Sequence, residues 1–344
     1  MPRTNYMRER PDRGQGGFSL IELVIAVAIL GSIFAITGPA INSALTMMEG
    51  AKRDEVVLNN QKLAAGMMSF ARNNGGGLPV PYTGSGIYSG LYNPNDTSAA
   101  GQALSLELRN TGVPVNAINS DSSAVQNVKV YRRSPVQTYS IPMYFTTGTP
   151  VTLLYYVGII TQTNCPKANS CNTGTPGASG ALTTANLTTW VPTLPDFGAV
   201  VFSTLPEQKN MLRLTTGRIN KLTDRLASEF FTRMRLAAAN SSQNFYPGST
   251  LLNLAGASPA TTGGCHDGWY RLNAANVNVL SQIGLDPAEF GVTAWGGVIE
   301  YCRDYGPGAV ANTPPHYAAL RINKNVSSGA APVTVLANNV VVTF

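Results

Sequence analysis

With 344 residues, the chain has room for roughly two domains of the usual ~100–200 residues, which excludes a peptide-like function. Charged residues make up only 12%, about half the ~25% of ordinary soluble domains, so an uncharged polar surface must do most of the solvation, as suits an exported protein or packed subunit better than a cytosolic enzyme. The net charge is +6, of which the first seventeen residues supply +2, and the remainder is too mild to suggest a nucleic-acid groove by itself.

Arg8, Arg10 and Arg13 precede Gly16-Gly17-Phe18-Ser19-Leu20-Ile21-Glu22, after which no charge occurs until Glu49. The run from Phe18 to Ile41 is 24 residues long, enough to cross a hydrocarbon layer as a helix at ~1.5 Å per residue. The preceding arginines favour a cytoplasmic N-terminus and export of the long C-terminal region. A secretory signal also has a basic start and an apolar run, but its apolar region is usually only ~7–15 residues. Glu22 is the sharper clue, because a carboxylate near the end of an apolar helix is costly unless it lies at the interface or finds a positive partner. A cut after Gly17 would give Phe18 a free amine four residues before Glu22. Pairing of that amine with Glu22 of a neighbouring subunit would also set the axial offset between helices.

These residues resemble the class III signal of type IV pilins and pseudopilins. The likeness rests on Gly17 before the cut, Phe18 as first mature residue, the Ser19-Leu20-Ile21 run, Glu22 at the fifth mature position and the long apolar helix. The resemblance implies cleavage by a prepilin peptidase, N-methylation of Phe18, and assembly into a filament at an inner-membrane platform with identical or related pilins. It also implies that Gly31 and Pro39 lie where pilin helices loosen, in keeping with the weak helix propensity of glycine and the hydrogen bond that proline removes. The leader of residues 1–17 is longer than the shortest pilin leaders, and 344 residues exceed the usual size of a major pilin.

Beyond residue 41, Leu45, Met48, Val57, Leu58, Ala64, Ala65, Met68 and Ala71 recur mostly every three or four residues, which predicts an amphipathic continuation. A stalk helix is therefore expected over 18–73, with 18–41 in the membrane, stopping at Asn73-Asn74-Gly75. Met47, Met48, Met67 and Met68 read as core filler. A first globular region is expected over 74–190, with strands at 127–132, 138–145 and 152–160, and a Thr-, Asn- and Ser-rich loop carrying Cys165 and Cys171. A second region, 191–344, is expected to hold a helix over about 217–240, from Ile219, Leu222, Leu226, Phe230 and Met234. Strands should follow around Trp269–Leu272, Trp295–Cys302, Val333–Leu336 and Val340–Phe344. The fold class is thus α+β and pilin-like, with a long helix on an antiparallel sheet and a second lobe of the same kind.

The four cysteines, Cys165, Cys171, Cys265 and Cys302, suit disulfides in an oxidising compartment, with sequential pairing preferred among three connectivities. Asp267, Glu300 and Asp304 are candidate calcium ligands close to Cys265 and Cys302, against a plainer role as turn caps and surface charge. His266 and His316 form no zinc pattern with the cysteines, and no nucleophile elbow, phosphate loop or metalloprotease helix is present, so no cofactor is expected and an enzyme is not the reading. Three functions remain: a structural pilus subunit, a type II secretion pseudopilin, or a tip subunit binding DNA or a surface ligand. For DNA, phosphate contacts would come from Arg132, Arg133, Lys209, Arg213, Arg218, Arg225, Arg233 and Arg235. Gly17→Val should block maturation, because the resemblance implies a peptidase that needs a small residue there. Intact-mass spectrometry should then find only the full-length chain.

Overall fold

The structure is a computed structural model that describes residues 20–81, 108–118, 127–164, 182–187, 198–238, 241–250, 264–306 and 314–344. Two compact units divide the chain at residue 56. Helix α1, Leu20–Asn73, contributes to both. Within the first unit it is the described element, and its backbone is helical through Gly31 and Pro39.

In the second unit, the last turns of α1 bury Asn60, Leu63, Ala64, Met67 and Ala71, a three- and four-residue spacing that makes one stripe. The stripe packs on an antiparallel sheet of order β1-β4-β5, formed by Asn127–Arg133, Val157–Asn164 and Val200–Ser203. Tyr131 and Ile160 stand opposite one another in register and share the core with that stripe. Gly66 permits the close approach of the chain at Val113, since a Cβ there would lie 1.9 Å from a Val113 methyl.

The expected strand over 152–160 is in fact two strands in two sheets. Strand β3, Pro150–Tyr155, pairs with β2, Gln137–Pro142, as a hairpin, whereas β4 begins at Val157 and pairs with β1. The break is at Tyr156, whose N–H donates to Thr204 Oγ1 at 3.0 Å and whose carbonyl accepts from the Thr204 N–H at 3.0 Å. On the other side, Pro135 separates β1 from β2, while the Ser134 hydroxyl oxygen accepts from the Val157 N–H. The hairpin therefore leaves the first sheet. Its Ile141, Met143, Val151 and Leu153 enter a second core with Leu212, Ile219, Leu222 and Leu226 of helix α2, Leu205–Arg235.

Helix α2 begins twelve residues before the position that periodicity suggested and ends at Arg235, not 240. Its first turns bury Gln208, Met211, Leu212, Thr215 and Thr216, and the polar members of that stripe hide its apolar period in the sequence. Pro206 in the first turn suits a helix start, where its missing N–H costs nothing. At the far end Met234, expected on the core side, is exposed, and the Leu236 and Ala237 amides turn back to Arg233 and Met234.

The second core is closed by an antiparallel sheet of order β6-β7-β8-β9, comprising Tyr270–Arg271, Glu300–Cys302, Ala319–Asn323 and Asn339–Thr343. Alternation puts Tyr301, Leu320 and Ile322 into this core, and Cys302, Ala319 and Arg321 on the opposite face with Trp269 and Tyr305. Val333–Leu336 is not a strand. Asn339 satisfies its backbone instead, accepting from the Val333 N–H at 2.9 Å and donating to the Val333 and Val335 carbonyls. Strand β8 was not expected, because its buried face carries an arginine.

Leu222→Ala should lower stability by about 2–5 kcal/mol, as a cavity in the second core demands, whereas Leu236→Ala, at a position 85% exposed, should change it by under about 0.5 kcal/mol; urea unfolding of the two variants checks this. Burial raises the hydroxyl pKa of Tyr131 and that of Tyr301. A raised folded pKa means that the native state holds its protons longer than the unfolded chain. The stability these groups contribute is thus full below about pH 10 and is lost above it. In an alkaline titration, phenolate absorbance from these residues should rise only together with loss of circular dichroism; phenolate formation without unfolding would contradict their burial.

Candidate functional site

Helix α1 changes environment along its length. Ser43, Thr46, Met47, Met48, Gly50, Ala51, Arg53, Asp54 and Glu55 are all exposed, and these positions cover every side of the helix. Met47 and Met48, expected as core, are 74% and 59% exposed, whereas Met67 is fully buried and Met68 half-buried. Leu58 and Ala65, also on the expected apolar stripe, are exposed. The true stripe runs through Asn60, Leu63, Ala64, Met67 and Ala71. Among the described residues no helix is long and apolar enough to cross a membrane; of the 18–41 run, only Val27 has a described side chain, and it is exposed. Gly17 and Phe18 lie outside the described residues, and Glu22, Gly31 and Pro39 are placed only as backbone within α1.

The end of α1 is anchored by side chains that sequence reasoning missed. The Gly76 N–H returns to the Ala71 carbonyl at 2.7 Å with Gly75 and Gly76 both at positive φ, the left-handed helix stop that glycine permits. Tyr131 donates to the Pro79 carbonyl at 3.0 Å and Arg133 to the Leu78 carbonyl at 2.7 Å. Arg72 pairs with Glu207 at 3.0 Å, and Gln208 donates to the Gly75 carbonyl. Asn60 is buried with both amide atoms unsatisfied, a residue that no sequence signal marks.

The remaining candidates fall around the face of the second sheet that carries Cys302, Ala319 and Arg321. Cys265 and Cys302 form a disulfide with Cα atoms 5.9 Å apart, and Cys165 and Cys171 lie outside the described residues. The three carboxylates proposed for calcium do not converge. Asp267 is paired with Arg303. Glu300 sits between Arg321 at 2.7 Å and Arg271 at 3.4 Å, directly across the sheet from both. Asp304 lies 3.5 Å from His316, and its carbonyl accepts from the His266 N–H. Among the described residues no three His, Cys, Asp or Glu side chains gather to hold a metal ion.

Several of the basic residues considered for phosphate contacts are engaged within the subunit. Arg133 reaches Leu78, Arg218 donates to the Val292 carbonyl, Lys209 lies over the Tyr139 ring, and Arg233 holds Glu229 and Gln282. Arg213, Arg225 and Arg235 are exposed on α2, and Arg132 is half-buried on β1.

Residues 12–38 match the prokaryotic N-terminal methylation motif. The chain carries a class III prepilin signal. That signal is typical of type IV pilins and pseudopilins, and it implies a pilin-like subunit processed by a prepilin peptidase, held first in the inner membrane and then in an extracellular filament. Subunits of this kind are typically structural and non-enzymatic. No curated protein and no solved structure matches the chain significantly.

Proposed function

We propose that this chain is a structural subunit of a type IV pilus or related filament, assembled through α1 after removal of residues 1–17. The observation that carries the reading is the signal at 12–38, set at the head of a 54-residue helix. The exposure of α1 between residues 43 and 55, with Met47 and Met48 uncovered, supports it. Exposed apolar side chains such as Met47 and Met48 lose their hydration cost when several such helices bundle.

In this reading the peptidase frees the amine of Phe18, which is then methylated. The Glu22 carboxylate supplies its counter-charge, within the subunit or to a neighbour, where low dielectric makes an unpaired carboxylate costly. Pairing with the Glu22 of a neighbour also sets the axial register. Gly31 and Pro39 mark the segment where α1 gives up helical hydrogen bonds most cheaply as it enters the filament. The α2 helix, with the β6–β9 sheet and the β2–β3 hairpin packed on it, forms a second pilin-like lobe in this reading. Its size suits a minor or specialised subunit that initiates, caps or decorates the fibre.

Shearing intact cells and quantifying the chain in fibres and membranes, with N-terminal mass spectrometry, tests the reading. A chain starting at methylated Phe18 in sheared fibres supports it. Processed chain retained wholly in membranes would instead favour a type II secretion pseudopilin, and absence of processing would overturn both. Glu22→Ala should leave membrane insertion intact while lowering incorporation into fibres about tenfold or more, the cost of an unmatched charge at low dielectric. Wild-type incorporation would show that the Phe18–Glu22 pairing is not needed.

A further inference from the structure

Segments far apart in the sequence meet on the first turn of α2. Thr204 exchanges two hydrogen bonds with Tyr156, at 3.0 Å each. Glu207 takes Arg72 at 3.0 Å. Gln208, 1% exposed, closes the arrangement: its Nε2 donates to the Gly75 carbonyl at 3.1 Å, and its Oε1 accepts from Trp295 Nε1 at 2.7 Å and from Ser327 Oγ at 2.9 Å. Both acceptor sites of that oxygen are used. The fit is close, because a Cβ on Gly76 would lie 1.3 Å from Gln208 Nε2.

We propose that this turn is a conformational joint in which Gln208 couples the end of α1 to the Trp295 and Ser327 loops, so that the two sets of contacts open and close together. The physical reason is the rigidity of the carboxamide. Its oxygen and nitrogen share one plane, so a rotation that releases the Gly75 carbonyl also swings Oε1 away from Trp295 and Ser327. Conversely, removing a donor from Oε1 leaves a buried acceptor short of a partner and lowers the resistance to that rotation. Such coupling is reciprocal: whatever loosens one end loosens the other. The joint stands on the fold alone and goes beyond the filament reading, so its failure would leave that reading untouched. Gln208 is a positioning residue here.

Amide hydrogen exchange on the full chain in detergent micelles tests the joint. The reporters are the Gly76 and Gly77 amides, held by the Ala71 and Asn74 carbonyls at 2.7 and 3.0 Å. Neither Trp295→Phe nor Ser327→Ala alters a residue next to them in the chain. Each should speed exchange at Gly76 and Gly77 by about three- to tenfold, the local opening expected when a buried hydrogen bond is lost, while Leu320 and Ile322 in β8 stay protected. Gln208→Leu should produce the same opening at both ends. Unchanged exchange at Gly76 and Gly77 in Ser327→Ala and Trp295→Phe would overturn the coupling. Should Trp295→Phe also lose the β8 protection, Ser327→Ala decides by the same criterion.

Discussion

An amphipathic helix must bury its apolar face somewhere, and α1 offers more face than the described residues cover. From Asn60 to Ala71 the stripe is met by β1 and β4. Between residues 43 and 55 the described side chains are open on every side. Met47 and Met48 on that segment are left exposed, a hydration cost that burial would remove. The prepilin signal lies at the head of the same helix.

A second constraint follows from low charge. With few ionised groups to spend, the structure fixes its long-range junctions through uncharged or neutralised polar side chains buried at chosen points. Thr204, Gln208, Thr215 and Asn339 each hydrogen-bond backbone that regular structure leaves open. A deep ion pair, Glu300 with Arg321, is flanked by the Trp269 ring that Arg321 covers at 4.2 Å. Removing Glu300 would leave Arg321 without its carboxylate over that ring, which is costlier than never having had the pair. The disulfide from Cys265 to Cys302 closes the same face of the sheet.

Much of the outline was legible from local chemistry. The end of α1 was written in Asn73-Asn74-Gly75, because left-handed backbone favours glycine. Strand β1 and the β2 start were close to expectation because aromatic and β-branched residues cluster there. The continuous strand over 152–160 was misread because no single residue announces the change of sheet; Tyr156 becomes a break only when Thr204 arrives to take its backbone. The early half of α2 was missed because its buried stripe contains Gln208, Thr215 and Thr216, and Gln208 and Thr215 take partners 70 or more residues away.

The sequence by itself determined the prepilin signal, the apolar run that follows it, the α+β class and the stop of the first helix, since each rests on neighbours within a few turns of chain. Only the tertiary structure decided which methionines are covered, that the hairpin of β2 and β3 serves the second core, that Cys302 meets Cys265, and that Asp267, Glu300 and Asp304 go to separate partners. Those outcomes depend on which faces meet across long loops, and residue order within a single segment carries no record of that choice.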